Sequence, residues 1–165
     1  MKTIYLVRHA KSSWKYPNLD DFERPLNKRG RKSALIMGES LNKLQVAPDL
    51  VISSPANRAA MTARIIANAI NYPLEKIQYN EIIYLSGENA LIHVIKNIND
   101  GAKEAMLIGH NPGFTDLANY ISDQRISNIP TCGVFCVDFN ILSWGKIGEH
   151  SGKLKFFEFP KKSAS

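Results

Sequence analysis

Cysteine is scarce in this chain. It has two, Cys132 and Cys136, four positions apart in a stretch that reads as loop running into strand. With no partner pair and no neighbouring histidines, they exclude a disulfide-stapled framework and a zinc site of the usual spacing, and read as buried thiols in a reducing compartment. No apolar run is long enough to span a bilayer. Met1-Lys2 leads straight into an apolar segment, without the charged start and cleavage site of a secretory signal, so the expected location is the cytoplasm, with no membrane partner. Also missing are a Gly-rich phosphate loop of the Walker type, a carboxylate cluster for a metal, and a Ser or Cys in a nucleophile-elbow pattern. No metal and no cofactor are therefore expected. The formal charge of +6 lacks the aromatic-rich basic strand or recognition helix of a nucleic-acid binder. It fits an anionic ligand, and scattered solvated lysines account for it equally well.

What is present is ordinary for a globular protein, with 44% hydrophobic and 22% charged residues,. A chain of 165 residues makes one well-buried core, so residues 1–160 read as a single domain and 161–165 as a basic, solvated tail. The most informative stretch is Thr3-Ile4-Tyr5-Leu6-Val7-Arg8-His9-Ala10. Apolar residues at nearly every position mark a buried parallel strand, and Arg8 and His9 stand at its carboxyl end, where open α/β sheets bind ligands. Ala105-Met106-Leu107-Ile108-Gly109 repeats the design and ends in His110. Two buried strands thus deliver a histidine to the same sheet edge.

Between them the pattern alternates. Lys11 to Arg24 reads as an ordered loop, because Trp14, Tyr16 and Phe22 are unusual in a disordered linker. Asn27 caps a helix running to about Leu44, with Ala34, Gly38, Leu41 and Gln45 on one face and Leu35 and Leu44 widening it. Leu50-Val51-Ile52 is a second strand. Ser54 reads as an N-cap with Pro55 at the first helical position, and Ala59, Ala60, Ala63, Ile66, Ala67 and Ile70 form a small-residue packing face. Arg58 falls in that helix's first turn, beside the positive end of the dipole, which points to an anion held there; a plain solvated arginine is the alternative. Ile77 to Tyr79 is a weaker strand, and Ser86 caps a helix carrying Leu91, Val94, Ile95 and Ile98, with His93 as a surface residue. Asn111-Pro112-Gly113 is a turn before a helix marked by Phe114, Leu117, Ala118 and Ile121. Gly133 to Phe139 and Leu154 to Phe159 close the set, the last as an edge strand with Lys153 and Lys155 alternating against Leu154 and Phe156.

Arg8, His9, Arg58 and His110 therefore converge on one crevice. Guanidinium forks bind phosphate oxygens and stay charged, and a histidine between them has its neutral, nucleophilic form favoured.

These residues resemble a known family. Leu6-Val7-Arg8-His9-Ala10, Ser53-Ser54-Pro55 with Arg58 and Thr62-Ala63, and Ile108-Gly109-His110-Asn111-Pro112-Gly113 look like the motifs of the histidine phosphatase superfamily. Arg24-Pro25-Leu26 with Arg29-Gly30, Pro130-Thr131 and Ser143-Trp144 resemble its SixA-type phosphohistidine phosphatases. The resemblance implies a phosphoglycerate mutase-like, three-layer α/β/α sandwich with a mainly parallel central sheet. It implies that His9 is the transiently phosphorylated nucleophile, that Arg8, Arg58 and His110 surround the phosphoryl group, and that Asn111 helps bind substrate. The proton donor of the mutase-like branch has no clear counterpart; Glu81 is the nearest candidate general acid. Its absence suits a phosphohistidine substrate, since transfer between two imidazoles is nearly symmetrical and asks little of an acid. The partner expected is a phosphorylated protein or a small phosphorylated molecule. Two rival readings remain: a phosphatase of small phosphoesters, and a non-catalytic phosphate- or phosphoprotein-binding module.

Overall fold

Strand β1 (Lys2–Arg8) is buried over nearly its whole length, because it lies inside a six-stranded sheet between two layers of helix. The computed structural model describes residues 1–160; the tail expected at 161–165 lies outside them. The other strands are β2 (Leu50–Ser53), β3 (Gln78–Tyr79), β4 (Glu104–Gly109), β5 (Val134–Phe139) and β6 (Gly152–Glu158). Their order across the sheet is β3-β2-β4-β1-β5-β6. The first four are mutually parallel; β5 pairs antiparallel with β1, and β6 antiparallel with β5. Helices α1 (Lys28–Lys43) and α2 (Asn57–Ala69) cover one face, and α3 (Glu88–Lys96) and α4 (Gly113–Ile121) the other. This is the expected three-layer α/β/α sandwich with a mainly parallel sheet.

The period of two along β1 divides the core. Ile4 and Leu6 pack with Leu91, Val94, Phe114 and Leu117 under α3 and α4. Tyr5 and Val7 pack with Ala34, Met37, Ala63 and Ile66 under α1 and α2. In the parallel pairing of β1 with β4, Val7 faces Ile108 and Arg8 faces Gly109. The residues that follow, His9 and His110, therefore leave the sheet side by side.

Several local expectations are corrected. Helix α2 begins at Asn57 with Ala56 as cap, two residues later than Ser54-Pro55 implied. The Ser54 hydroxyl accepts from the Ala56 N–H at 3.2 Å, which closes a turn ahead of the helix. Asn27 caps α1 as expected, accepting from the Gly30 N–H at 2.7 Å. Leu35 and Leu44 are exposed, since the buried stripe of α1 is narrow, formed by Gly30, Ala34, Met37, Gly38 and Leu41. Gln45 is also exposed and adopts φ 61°, ending the helix with Val46 N–H donating to Leu41 O at 3.0 Å,. Gly87, not Ser86, caps α3; the Ser86 hydroxyl donates to Ile82 O instead. In β6 the simple alternation fails at a register shift opposite Cys136 and Val137, so Leu154 packs on one face of the sheet and Phe156 on the other,.

Candidate functional site

His9 is fixed through its backbone before its side chain is considered. Its N–H donates to Gly109 O at 2.9 Å, and its carbonyl accepts from the Cys132 N–H at 3.1 Å. The residue is thus tied to the end of β4 and to the segment entering β5. Next to it, Ala10 N–H donates to Thr62 Oγ1 at 3.0 Å, which ties the turn to α2. The His9 ring nitrogen Nδ1 lies 2.7 Å from Ala10 O. A carbonyl only accepts, so Nδ1 carries the proton and Nε2 is the bare, nucleophilic nitrogen.

His110 stands beside it, with ring centroids 5.1 Å apart. Its Nε2 is 2.8 Å from Ser54 Oγ. A hydroxyl donates one proton and accepts up to two hydrogen bonds, so with Ser54 also accepting from Ala56 its own proton is free for His110 Nε2; in that arrangement the imidazole proton resides on Nδ1. Arg8 donates from Nη1 to Ile129 O at 2.9 Å. Arg58 is buried and donates from Nη1 to Asp21 O at 2.7 Å and from Nη2 to Asp21 Oδ2 at 3.0 Å. Among the described residues, three buried side-chain polar atoms have no protein partner: Arg8 Nε, Arg58 Nε and His110 Nδ1. All three belong to the residues around His9; the two arginine Nε atoms are donors, and His110 Nδ1 is a donor when Ser54 donates to Nε2. Buried donors are normally satisfied, so this trio marks a place shaped for an oxyanion.

Electrostatics agrees. Burial, reinforced by the positive charges of Arg58 and Arg8 and opposed by the bond to Ala10, lowers His9 from 6.5 to about 4. Burial first, then the neighbouring His9 and Arg58, lowers His110 to about 3. Both rings are neutral at physiological pH. The crevice that Arg8, His9, Arg58 and His110 line has a volume of about 420 Å³, room for a phosphoryl group and part of what carries it.

Of the residues singled out in the sequence, these four are brought together. Asn111 also lines the crevice, but its amide is committed elsewhere. Its Nδ2 donates to Asn128 Oδ1 at 2.7 Å and Ile129 O at 3.1 Å, and its Oδ1 accepts from Thr115 N–H and Oγ1. It holds the carbonyl that positions Arg8. Glu81, itself exposed, opens a 3-10 turn, Glu81–Ile83, and is absent from the crevice lining; the chain turns there so that Tyr84 points inward, its ring edge-on to His110 at 5.5 Å.

Asp21 and Trp14 belong to the site and were not singled out. Asp21 accepts from Arg58, from Tyr84 Oη at 2.7 Å and from Arg24 Nη2 at 3.1 Å. Burial works to raise its carboxyl, and these three hydrogen bonds outweigh that and hold it at about 2. Arg24 in turn lies under the Trp14 ring, 3.7 Å from its centroid. The available signal was the acidic residue three positions before Arg24-Pro25-Leu26. Among the described residues no group of three or more His, Cys, Asp or Glu is arranged to hold a metal ion, and no helix is long and apolar enough to cross a membrane.

Comparison with known proteins places this geometry in context. Residues 4–81 match the model of the histidine phosphatase superfamily, branch 1. An uncharacterised protein of Mycobacterium tuberculosis is 31% identical over 139 residues, covering 78% of this chain and 84% of its own length. A crystal structure from Agrobacterium tumefaciens, provisionally assigned as the phosphohistidine phosphatase SixA, superposes with a TM-score of 0.81 at 26% identity, over 95% of this chain and 97% of that one. The protein histidine phosphatase SixA complexed with tungstate gives a TM-score of 0.83 at 17% identity, over 96% and 97% of the two chains, a similarity of fold.

Proposed function

The chain belongs to the histidine phosphatase superfamily and is a phosphatase; from that premise we propose that His9 is its nucleophile and that its substrate is phosphohistidine in a protein. The observation that carries this reading is the trio of buried, unpartnered donors, Arg8 Nε, Arg58 Nε and His110 Nδ1, gathered around a neutral histidine.

In the first step His9 Nε2 attacks phosphorus in line, and the bond from phosphorus to the substrate's ring nitrogen breaks. The bonding pair returns to that nitrogen, and a ring protonated on its other nitrogen leaves as neutral imidazole. Arg8, Arg58 and His110 donate to the equatorial oxygens as charge spreads over them. In the second step water attacks the phosphoryl group on His9, a proton passes to solvent, and phosphate departs with the imidazole of His9 restored. No step needs a metal or cofactor: fixed guanidinium charge and positioning supply the stabilisation. The exposed position of Glu81 favours this substrate over a phosphoester, whose alkoxide leaving group requires a proton donor.

A panel of phosphohistidine protein, phosphoramidate and common phosphoesters tests the reading. The expected result is a kcat/KM highest on the phosphohistidine protein, with phosphoramidate also cleaved. Faster cleavage of sugar phosphates would assign the small-phosphoester activity instead, and binding without turnover of any substrate would assign a non-catalytic module.

A further inference from the structure

The chain has two tryptophans, and they are treated oppositely. Trp144 is fully buried and donates its indole N–H to Ala102 O at 2.8 Å. Trp14, at the mouth of the crevice, is 78% exposed. Burial of an indole is among the larger gains a side chain offers, so one left in water calls for a reason.

Trp14 is nevertheless held. Its ring rests on the Arg24 guanidinium, and Arg24 is itself buried. That guanidinium donates from Nη1 to Ser12 Oγ at 2.6 Å and from Nη2 to Asp21 Oδ1 at 3.1 Å. The loop beneath is pinned by Ser13 N–H to Pro25 O at 2.8 Å and Asn27 N–H to Lys11 O at 3.0 Å. An immobilised cation thus supports one side of a ring whose remaining surface is open. A pre-positioned aromatic of this kind binds flat groups at little entropic cost.

In-line attack fixes what reaches that ring. The leaving nitrogen lies opposite His9 Nε2, so the body of the leaving group extends from the phosphoryl site toward the crevice mouth. We propose that Trp14 is the stacking platform of a leaving-group subsite, which takes the imidazole ring of a phosphohistidine and the polypeptide beside it. This rests on the phosphohistidine reading of the site and adds how a protein substrate is recognised. Leu85, 60% exposed and lining the same crevice, supplies a second apolar contact.

The experiment compares Trp14→Ala and Trp14→Phe with the unaltered enzyme on two substrates, a histidine-phosphorylated protein and phosphoramidate, which has no body beyond its nitrogen. The expected result is that the ratio of kcat/KM for the protein over phosphoramidate falls by about tenfold in Trp14→Ala, through KM, and is largely recovered in Trp14→Phe. An unchanged ratio, with both activities lost together or both retained, overturns the proposal. A second arm needs no turnover: adding a histidine-phosphorylated peptide to His9→Ala is expected to quench the fluorescence of the exposed Trp14, and no change in emission counts against the platform. If the unaltered enzyme cleaves neither substrate, the catalytic reading fails, and the fluorescence arm still decides the platform.

Discussion

Asp21 grips Arg58 twice, its backbone carbonyl taking Nη1 at 2.7 Å and its carboxylate taking Nη2 at 3.0 Å. The end of the guanidinium is thereby held, and Nε is left for the oxyanion. The same carboxylate holds Tyr84 against His110 and Arg24 beneath Trp14.

Removing that carboxylate releases three side chains at once. Asp21→Ala is expected to lower kcat/KM by roughly thirtyfold, the equivalent of about 2 kcal/mol for a lost charge-assisted hydrogen bond. Asp21→Asn, which retains an acceptor for Arg58 and Tyr84, is expected to lose less. Steady-state kinetics on phosphoramidate for the two variants checks the order; equal activity in Asp21→Ala and the unaltered protein would remove Asp21 from the site's machinery.

The depressed histidines make folding pH-dependent in a defined direction. His9 and His110 bind protons only below about 4 and about 3 when folded, against 6.5 ordinarily. As pH falls from 6.5 toward 4 the unfolded chain takes up protons that the folded chain refuses, so stability falls through that window, and their effect is absent above it. Urea midpoints measured from about pH 7 to pH 4.5 are expected to decline, with a shallower slope in a His9→Gln/His110→Gln variant. Identical slopes in the two proteins would contradict the assignment of neutral, buried rings.

Gly30 marks where α1 meets the loop after His9. A Cβ there would stand 2.1 Å from Lys11 O, and that neighbour is backbone, tied to Asn27 N–H at 3.0 Å. Gly30→Ala is expected to cost about 1–3 kcal/mol by denaturant unfolding, because the loop must shift, and to lower activity with it. A neutral effect on both would show that the loop yields freely.

Glu81→Gln is expected to change kcat on phosphoramidate by less than about twofold, since Glu81 is exposed and outside the crevice. A large loss confined to phosphoester substrates would restore it as a proton donor.

The quartet proposed to act on the phosphoryl group was legible because each member sits where local pattern is strongest. Arg8, His9 and His110 end continuous apolar strands, and Arg58 opens a helix beside the positive end of its dipole. Asp21 was not, because Arg58 and Tyr84 lie 37 and 63 positions away from it, and nothing in a polar loop's own pattern says which carboxylate will meet a distant arginine. The hydrogen bonds of Asn111 were hidden for a related reason. It stands in the right motif and lines the right crevice, but Asn128, Ile129 and Thr115 consume its amide. Ser54 was read by its resemblance to a helix cap, whereas its hydroxyl is shared between a turn and His110.

The central claim is that His9 receives the phosphoryl group. Enzyme mixed with phosphoramidate, quenched in alkali on the timescale of one turnover and digested for mass spectrometry, is expected to carry phosphate on His9, with none in His9→Ala and no turnover by that variant. Phosphate on another residue, or undiminished turnover by His9→Ala, would contradict the account.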